Sequence, residues 1–197
     1  MQPQTTPRLI LASTSPYRRG LLERLGLAFD VVAPRVDETP LADEPPAGLA
    51  LRLARAKALA VACDAPRAVV IGSDQVAELA GVAVNKPETH ECAFEQLRML
   101  RGRAVRFHTA MSVRQLDPPR SAETTVVTDV LYRMLDDAAI EHYLLRERPY
   151  DCAGSAKIEG LGIALTDAVR GDDPTALIGL PLIALARLLP RFDIPVL

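Results

Sequence analysis

No stretch of this chain stays apolar for the ~18 residues that a membrane-spanning helix needs. Its first seven residues are polar and lack the apolar core of a signal peptide, so they read as a frayed leader. Cysteine is scarce: Cys63, Cys92 and Cys152 are far apart, odd in number, and form neither a C-x-x-C pair nor a zinc spacing. They read as reduced thiols of a cytoplasmic protein. A basic excess is also missing. The formal net charge is −2, which argues against a bulk nucleic-acid partner. No G-x-x-x-x-G-K-[ST] and no G-x-G-x-x-G occurs, so neither a P-loop nor a dinucleotide cofactor is expected. His90, His108 and His142 lack a G-x-S-x-G context, and each reads as a surface or structural histidine. Internal repeats and low-complexity tracts are absent.

Lysine is the most telling scarcity. Of 23 basic residues, 20 are arginine and three are lysine: Lys57, Lys86 and Lys157. Codon bias explains most of such a skew. A compact ammonium with a tunable pKa is nevertheless not interchangeable with a guanidinium fork. The three places where lysine is kept are therefore candidate functional positions.

What is present is ordinary for a globular protein: 49% hydrophobic and 24% charged residues over 197 positions. That length suits one large domain or two small lobes and buries enough apolar surface to need no disulfide or metal staple. Leu9-Ile10-Leu11-Ala12 is a short buried strand. Ser15 can cap a following helix with Pro16 at its first position; Leu21, Leu22 and Leu25 share its face and it stops near Gly26. A second strand is expected over 29–33, then a Pro-rich loop to Pro46. The 3.6-residue spacing of Leu49, Leu53, Ala56 and Ala60 predicts a helix over 47–62, with Lys57 at the border of its apolar stripe. Ala68-Val69-Val70-Ile71 is a buried strand closed by Gly72-Ser73-Asp74. A hairpin arm is expected at 82–84 and a helix over 89–100. Strands over 103–115 and 122–132, joined by Asp117-Pro118-Pro119, form an antiparallel pair. A helix follows over 136–146, then a glycine-rich stretch, and Gly179-Leu180-Pro181 introduces a last helix to about Leu189. The expected class is α/β with a mixed sheet and flanking helices, in two lobes around a cleft.

Three features carry possible chemistry. Ser13-Thr14-Ser15-Pro16-Tyr17-Arg18-Arg19 joins hydroxyls, a helix N-terminus and two guanidiniums, which suits an anion. A plain capped helix with solvated arginines accounts for the same residues. Asp74 follows an apolar strand directly, where open α/β sheets gather ligands, and can hold a metal or activate water. An Asp turn accounts for it equally well. Asp37 and Glu38 offer more carboxylate in an early loop. Taken together, the set suits a phosphate ester or anhydride with a magnesium-like ion.

The blocks Leu9-Ile10-Leu11-Ala12-Ser13-Thr14-Ser15-Pro16-Tyr17-Arg18-Arg19, Val36-Asp37-Glu38-Thr39-Pro40, Arg52-Leu53-Ala54 to Lys57-Ala58, and Ile71-Gly72-Ser73-Asp74-Gln75 resemble signatures of the Maf family, the septum-formation-inhibitor-like nucleotide pyrophosphatases. Asn85-Lys86-Pro87, Ala153-Gly154-Ser155, Glu159-Gly160 and Gly179-Leu180-Pro181-Leu182 continue the resemblance in family order over nearly the whole chain. It implies one Maf-like domain over 1–197, an elongated fold with a central cleft, and often a homodimer. It implies cytoplasmic hydrolysis of the α–β phosphoanhydride of a nucleoside triphosphate with a divalent metal, Mg²⁺ or Mn²⁺. Asp74 matches the family's proton acceptor. Ser13, Arg18, Arg19, Lys57 and Lys86 match phosphate and active-site positions, and Glu38, with Asp74, matches the metal position.

Tyr17, Gln75 and Glu159 depart from the branch that acts on dTTP and UTP and resemble the branch that acts on 7-methyl-GTP. Lys157 looks like that branch too. N7 methylation makes the guanine ring cationic, which an aromatic face attracts and a carboxylate favours. The alternatives are a dTTP/UTP pyrophosphatase, a nucleotide-binding cell-division regulator without catalysis, and a structural α/β domain.

Overall fold

The computed structural model describes residues 7–197. The expectation of a frayed leader concerns residues that, Pro7 apart, lie outside this range. Seven strands form one mixed sheet: β1 (Leu9–Ala12), β2 (Asp30–Val32), β3 (Val69–Leu79), β4 (Val82–Val84), β5 (Ala104–Leu116), β6 (Pro119–Tyr132) and β7 (Thr166–Gly171). The order is β2-β1-β3-β5-β6-β7, with β4 also paired to β3. The pairs β2/β1 and β1/β3 are parallel; the others are antiparallel. Among the described residues five α-helices flank it: α1 (Pro16–Glu23), α2 (Pro46–Asp64), α3 (His90–Leu100), α4 (Asp137–Glu147) and α5 (Leu182–Leu188).

The mixed α/β architecture is as expected; two elements differ. β3 does not close at Gly72-Ser73-Asp74 but runs on to Leu79, because β5 pairs with it continuously from Val70 to Glu78. Asp74 is therefore a mid-strand residue rather than a strand-end one. β7 escaped the sequence reading. It is a polar, largely exposed edge strand on β6, with no apolar alternation to announce it.

Side-chain alternation along β3 divides its surroundings. One face, with Leu9, Leu11, Val69 and Ile71, packs under α1 and α5 in one apolar cluster. Farther along the same face, Ala77, Val105 and Phe107 join the cluster formed with α3 and α4. Between these clusters stand the polar residues Ser73, Gln75 and Thr109. The opposite face carries Ile10, Val70, Val76 and Ala110 beneath α2. Helix α2 lies very close to the strand at Gly72: a Cβ added there would be 2.3 Å from the Ala54 carbonyl oxygen and 2.6 Å from the Ala58 nitrogen. Gly72→Ala must push α2 outward. It is expected to destabilise the fold by roughly 1–3 kcal/mol, read as a lower urea midpoint at unchanged slope.

The sheet is interrupted along one edge of β3. β1 pairs as far as Ala12 with Gly72, and β4 pairs from Ala77 to Leu79. Neither strand reaches residues 73–76. Because β1 runs parallel and β4 antiparallel to β3, both carboxyl ends point into this gap. The chain leaves β1 at Ser13 and β4 at Asn85, one on each side of it.

Candidate active site

The gap opens into a cavity of about 590 Å³ lined by residues 13–18, Glu38, Lys57, Asp74, Gln75, Asn85 and Lys86, among others. The N-terminal residues of α1 form one wall. Ser15 accepts a hydrogen bond from the Arg18 backbone N–H at 3.4 Å, and Ser13 Oγ accepts one from the Ser15 N–H at 3.1 Å. The first turn of α1 thus presents backbone donors and the positive end of its dipole to the cavity. Arg18 donates from Nε to the Gly179 carbonyl at 2.9 Å, which fixes its guanidinium beside the opening. Burial draws the Arg18 pKa down, while the Asp74 and Glu38 charges pull it back up.

Helix α2 supplies Lys57 from its buried face, at 5% exposure. The Lys57 Nζ donates to Asp74 Oδ1 at 2.6 Å and pairs with Glu38 Oε1 at 2.8 Å. An isolated ammonium in that position would be strongly disfavoured; two carboxylates compensate it. Burial pushes the Glu38 carboxyl upward, but the Lys57 hydrogen bond and the charges of Lys57, Lys86 and Arg18 together outweigh it, leaving its pKa below the usual carboxylate range. Among the described residues no donor engages Asp74 Oδ2.

Gln75, the next residue on β3, points to the opposite face. Its amide nitrogen donates to Thr109 Oγ1 at 2.9 Å and lies 3.0 Å from both the Ala176 and Leu177 carbonyls. With the nitrogen so engaged, the carbonyl oxygen Oε1 is the end left to accept from a ligand. A smaller recess of about 80 Å³ continues the cavity here. Tyr17, Gln75, Lys86, Asp151, Cys152 and Glu159 are among its walls. The Tyr17 ring carries the Lys157 ammonium 5.9 Å from its centroid. Burial, then the neighbouring Cys152 and Asp151, raise the Tyr17 pKa, so its phenol stays protonated. The Cys152 thiol is pushed up to about 12 by burial and then by Asp151. It is not a nucleophile at neutral pH.

The segment bearing Glu159 is hung on two buried tyrosines. Tyr132 OH donates to the Gly154 carbonyl at 2.9 Å, and Tyr143 OH donates to the Ser155 carbonyl at 3.1 Å. The Tyr143 oxygen also accepts from the Lys157 N–H at 2.9 Å. Glu147 Oε1 accepts from the Leu161 N–H at 2.8 Å, just past Glu159.

The structure thus gathers Ser13, Tyr17, Arg18, Glu38, Lys57, Asp74, Gln75, Lys86 and Glu159 around one continuous opening. Arg19 is elsewhere. It points outward on α1, pairs with Glu23 at 2.9 Å, and is 63% exposed. Neighbouring positions on a helix diverge by about 100°, and here Arg18 faces the cavity while Arg19 faces solvent. The three histidines also stand apart from it: His90 bonds Tyr150 and Glu141, His108 bonds Glu78, and His142 is exposed. The sequence reading did not single out Thr109, Asp151 or the 176–179 carbonyls. Thr109 had a signal, being a polar residue between Phe107 and Met111 on an otherwise apolar strand face. Asp151 and backbone carbonyls have none.

A divalent ion has two carboxylates available, Glu38 and Asp74, already converging on one cation. Among the described residues there is no cluster of three or more His, Cys, Asp or Glu able to hold a metal. Two carboxylates with waters or phosphate oxygens suffice for magnesium. The pair fits a magnesium-like ion that arrives with phosphate oxygens as its remaining ligands.

A dipole-bearing helix start, local cations, a strand-borne carboxylate and a loop-borne one surround one opening in an α/β protein, a setting whose chemistry suits phosphate. The chain belongs to the Maf family: residues 8–192 match the family described as "Maf-like protein". It is similar to a protein named 7-methyl-GTP pyrophosphatase from Burkholderia orbicola (strain AU 1054), with 58% identity over 192 residues, covering 96% of this chain and 91% of that one. A protein of the same name from Bordetella pertussis is 58% identical over 98% of this chain and 96% of its own. Another, from Paraburkholderia xenovorans, is 57% identical over 97% and 95%.

Proposed function

We propose that this chain hydrolyses 7-methyl-GTP to 7-methyl-GMP and pyrophosphate. The observation that carries the reading is the two-ended cavity. Its wide end places Asp74, Lys57, Glu38 and Lys86 beside the α1 N-terminus, and its narrow end places Tyr17, Gln75 and Glu159 around a recess. The relatives' shared name supports the same substrate.

Lys86, Arg18 and the first turn of α1 bind the triphosphate tail and neutralise its charge. Lys57 holds Asp74 by Oδ1, which leaves Oδ2 to take a proton from water. That water attacks the α-phosphorus, the α–β bridging bond breaks, and pyrophosphate leaves with the electron pair. Glu38 and Asp74 would hold a divalent ion, Mg²⁺ or Mn²⁺, and that ion supplies charge neutralisation at the phosphates. The proton acceptor and the ion-binding carboxylate can be the same group in Asp74, because Lys57 engages only its Oδ1.

At the narrow end, guanine's Watson–Crick edge offers two donor groups, the ring N–H and the amino group. Glu159 and Gln75 Oε1 are acceptors, which suits that edge. A pyrimidine such as uracil offers a single donor between two acceptors. The acids Asp151 and Glu159 favour a ring made cationic by methylation, and Tyr17 already faces one cation, Lys157. Keeping methylated nucleotides out of nucleic acid synthesis is a role consistent with this selectivity. No helix among the described residues is long and apolar enough to cross a membrane, and a nucleotide-pool enzyme is expected in the cytoplasm.

Purified chain with Mg²⁺ is expected to release pyrophosphate from 7-methyl-GTP faster than from GTP, UTP or dTTP. Bound nucleotide without pyrophosphate release would overturn the enzymatic reading. The variant carrying Glu159→Gln and Tyr17→Arg is expected to lose about tenfold or more of its preference for 7-methyl-GTP over UTP in kcat/KM. An unchanged ranking would remove both residues from recognition.

A further inference from the structure

Asp173 is 3% exposed, and no lysine, arginine or histidine among the described residues pairs with it. A buried carboxylate without a cation needs other donors. Asp173 Oδ1 accepts from the Thr175 backbone N–H at 3.0 Å and the Thr175 hydroxyl at 2.6 Å, and Oδ2 accepts from the Ile183 N–H at 2.8 Å. The Thr175 oxygen also accepts from the Leu182 N–H at 2.8 Å and lies 2.9 Å from the Leu180 carbonyl. Both ends of the 173–183 loop are thereby tied to one carboxylate and one hydroxyl.

The inner side of that loop is a row of carbonyls, and it carries four side chains of the cavity region. Ala176 and Leu177 take the Gln75 amide, and Ala176 also takes the Thr109 hydroxyl at 2.9 Å. Gly179 takes Arg18 Nε and the Ser73 hydroxyl, each at 2.9 Å. Gly179 sits at φ +124°, and a Cβ there would come within 3.4 Å of Arg18 Nε, so the loop shape is specified at this point by glycine. One buried knot therefore sets the direction of Gln75 at the narrow end and Arg18 at the wide end.

We propose that Asp173 and Thr175 are positioning residues for nucleotide recognition, acting through the 176–179 carbonyls on Gln75 and Arg18. The roles of Gln75 and Arg18 rest on the function proposed above. Burial and the anchoring of α5 would by themselves explain a stabilising knot. Positioning adds a specific consequence: loosening the knot frees the Gln75 amide and weakens substrate binding more than it slows chemistry.

The test uses the full chain with Thr175→Val, which removes the hydroxyl at nearly constant volume, and Thr175→Ser, which keeps it. Two quantities are read: the side-chain ¹⁵N–¹H signals of Gln75, assigned by their loss in Gln75→Ala, and kcat and KM for 7-methyl-GTP with Mg²⁺. Thr175→Val is expected to shift the Gln75 signals and raise KM about tenfold, with kcat changed less. Thr175→Ser is expected to restore both. In the Gln75→Ala background, Thr175→Val should add less than its full factor to KM. Unmoved Gln75 signals and an unchanged KM in folded Thr175→Val would overturn the proposal. If that variant does not fold, Asp173→Asn, which keeps one oxygen for Thr175 but loses the charge and sets its amide NH2 against the Ile183 N–H, is judged by the same criteria. A wild-type chain that releases no pyrophosphate from any triphosphate would defeat the proposed function instead, and the Gln75 signals would still decide the positioning role.

Discussion

Asp74→Asn is expected to lower kcat for 7-methyl-GTP by about a thousandfold while leaving KM within a few-fold, the scale associated with losing a positioned general base. The substitution is close to isosteric. The amide oxygen can still accept from Lys57 Nζ, now 2.6 Å from Asp74 Oδ1, so the buried cation keeps a partner and Glu38 remains at 2.8 Å. What disappears is the ability to take a proton from water and the charge that helps hold an ion. Pyrophosphate release at saturating nucleotide measures the loss, and a thermal melt verifies that the fold persists. Near-normal kcat would take Asp74 out of the chemistry.

Lys57→Met has the other large expected effect, and it acts on stability as well as on rate. Methionine fills the space under α2 but leaves Asp74, 10% exposed in its side chain, without a cation in hydrogen-bonding contact. Breaking a buried pair by removing one partner costs about 3–5 kcal/mol. The cleft admits water and Glu38 is 56% exposed, so the lower end, about 3 kcal/mol, is expected. Activity should fall at least about a hundredfold in kcat/KM, because the tail loses a neutralising charge and Asp74 its anchor. A second consequence separates this account from simple destabilisation. Two unneutralised carboxylates form a better divalent site, so Mg²⁺ should raise the variant's melting temperature more than the wild type's, without nucleotide present. Equal shifts would mean that Glu38 and Asp74 do not share a cation.

The chemistry was more readable in the sequence than the geometry that delivers it. The retained lysines are informative: Lys57 and Lys86 line the cavity and Lys157 stands over the Tyr17 ring beside it. The cap at Ser15, with Pro16 following, forms as local backbone chemistry requires. These are short-range properties, and single residues report them. Longer-range properties were hidden. Apolarity falls at Gly72-Ser73-Asp74, which reads as a strand end. The strand continues because the Ser73 hydroxyl has carbonyls to donate to, lying 2.8 Å from that of Ala110 and 2.9 Å from that of Gly179, and Gly72 admits α2. Both partners are distant in sequence. Arg19 sits in a motif-like run beside Arg18, yet helix geometry turns it toward Glu23 and solvent. Asp173 gave no signal at all, since it follows an ordinary exposed aspartate and owes its role to residues up to ten positions ahead.

In the proposed reaction water, deprotonated at Asp74, attacks the α-phosphorus of a nucleotide whose base lies against Tyr17, Gln75 and Glu159. Hydrolysis of 7-methyl-GTP by the purified chain in H₂¹⁸O with Mg²⁺, followed by mass spectrometry of both products, tests it most directly. One ¹⁸O in 7-methyl-GMP and unlabelled pyrophosphate are expected. Label in pyrophosphate or orthophosphate, or no 7-methyl-GMP at all, would contradict it.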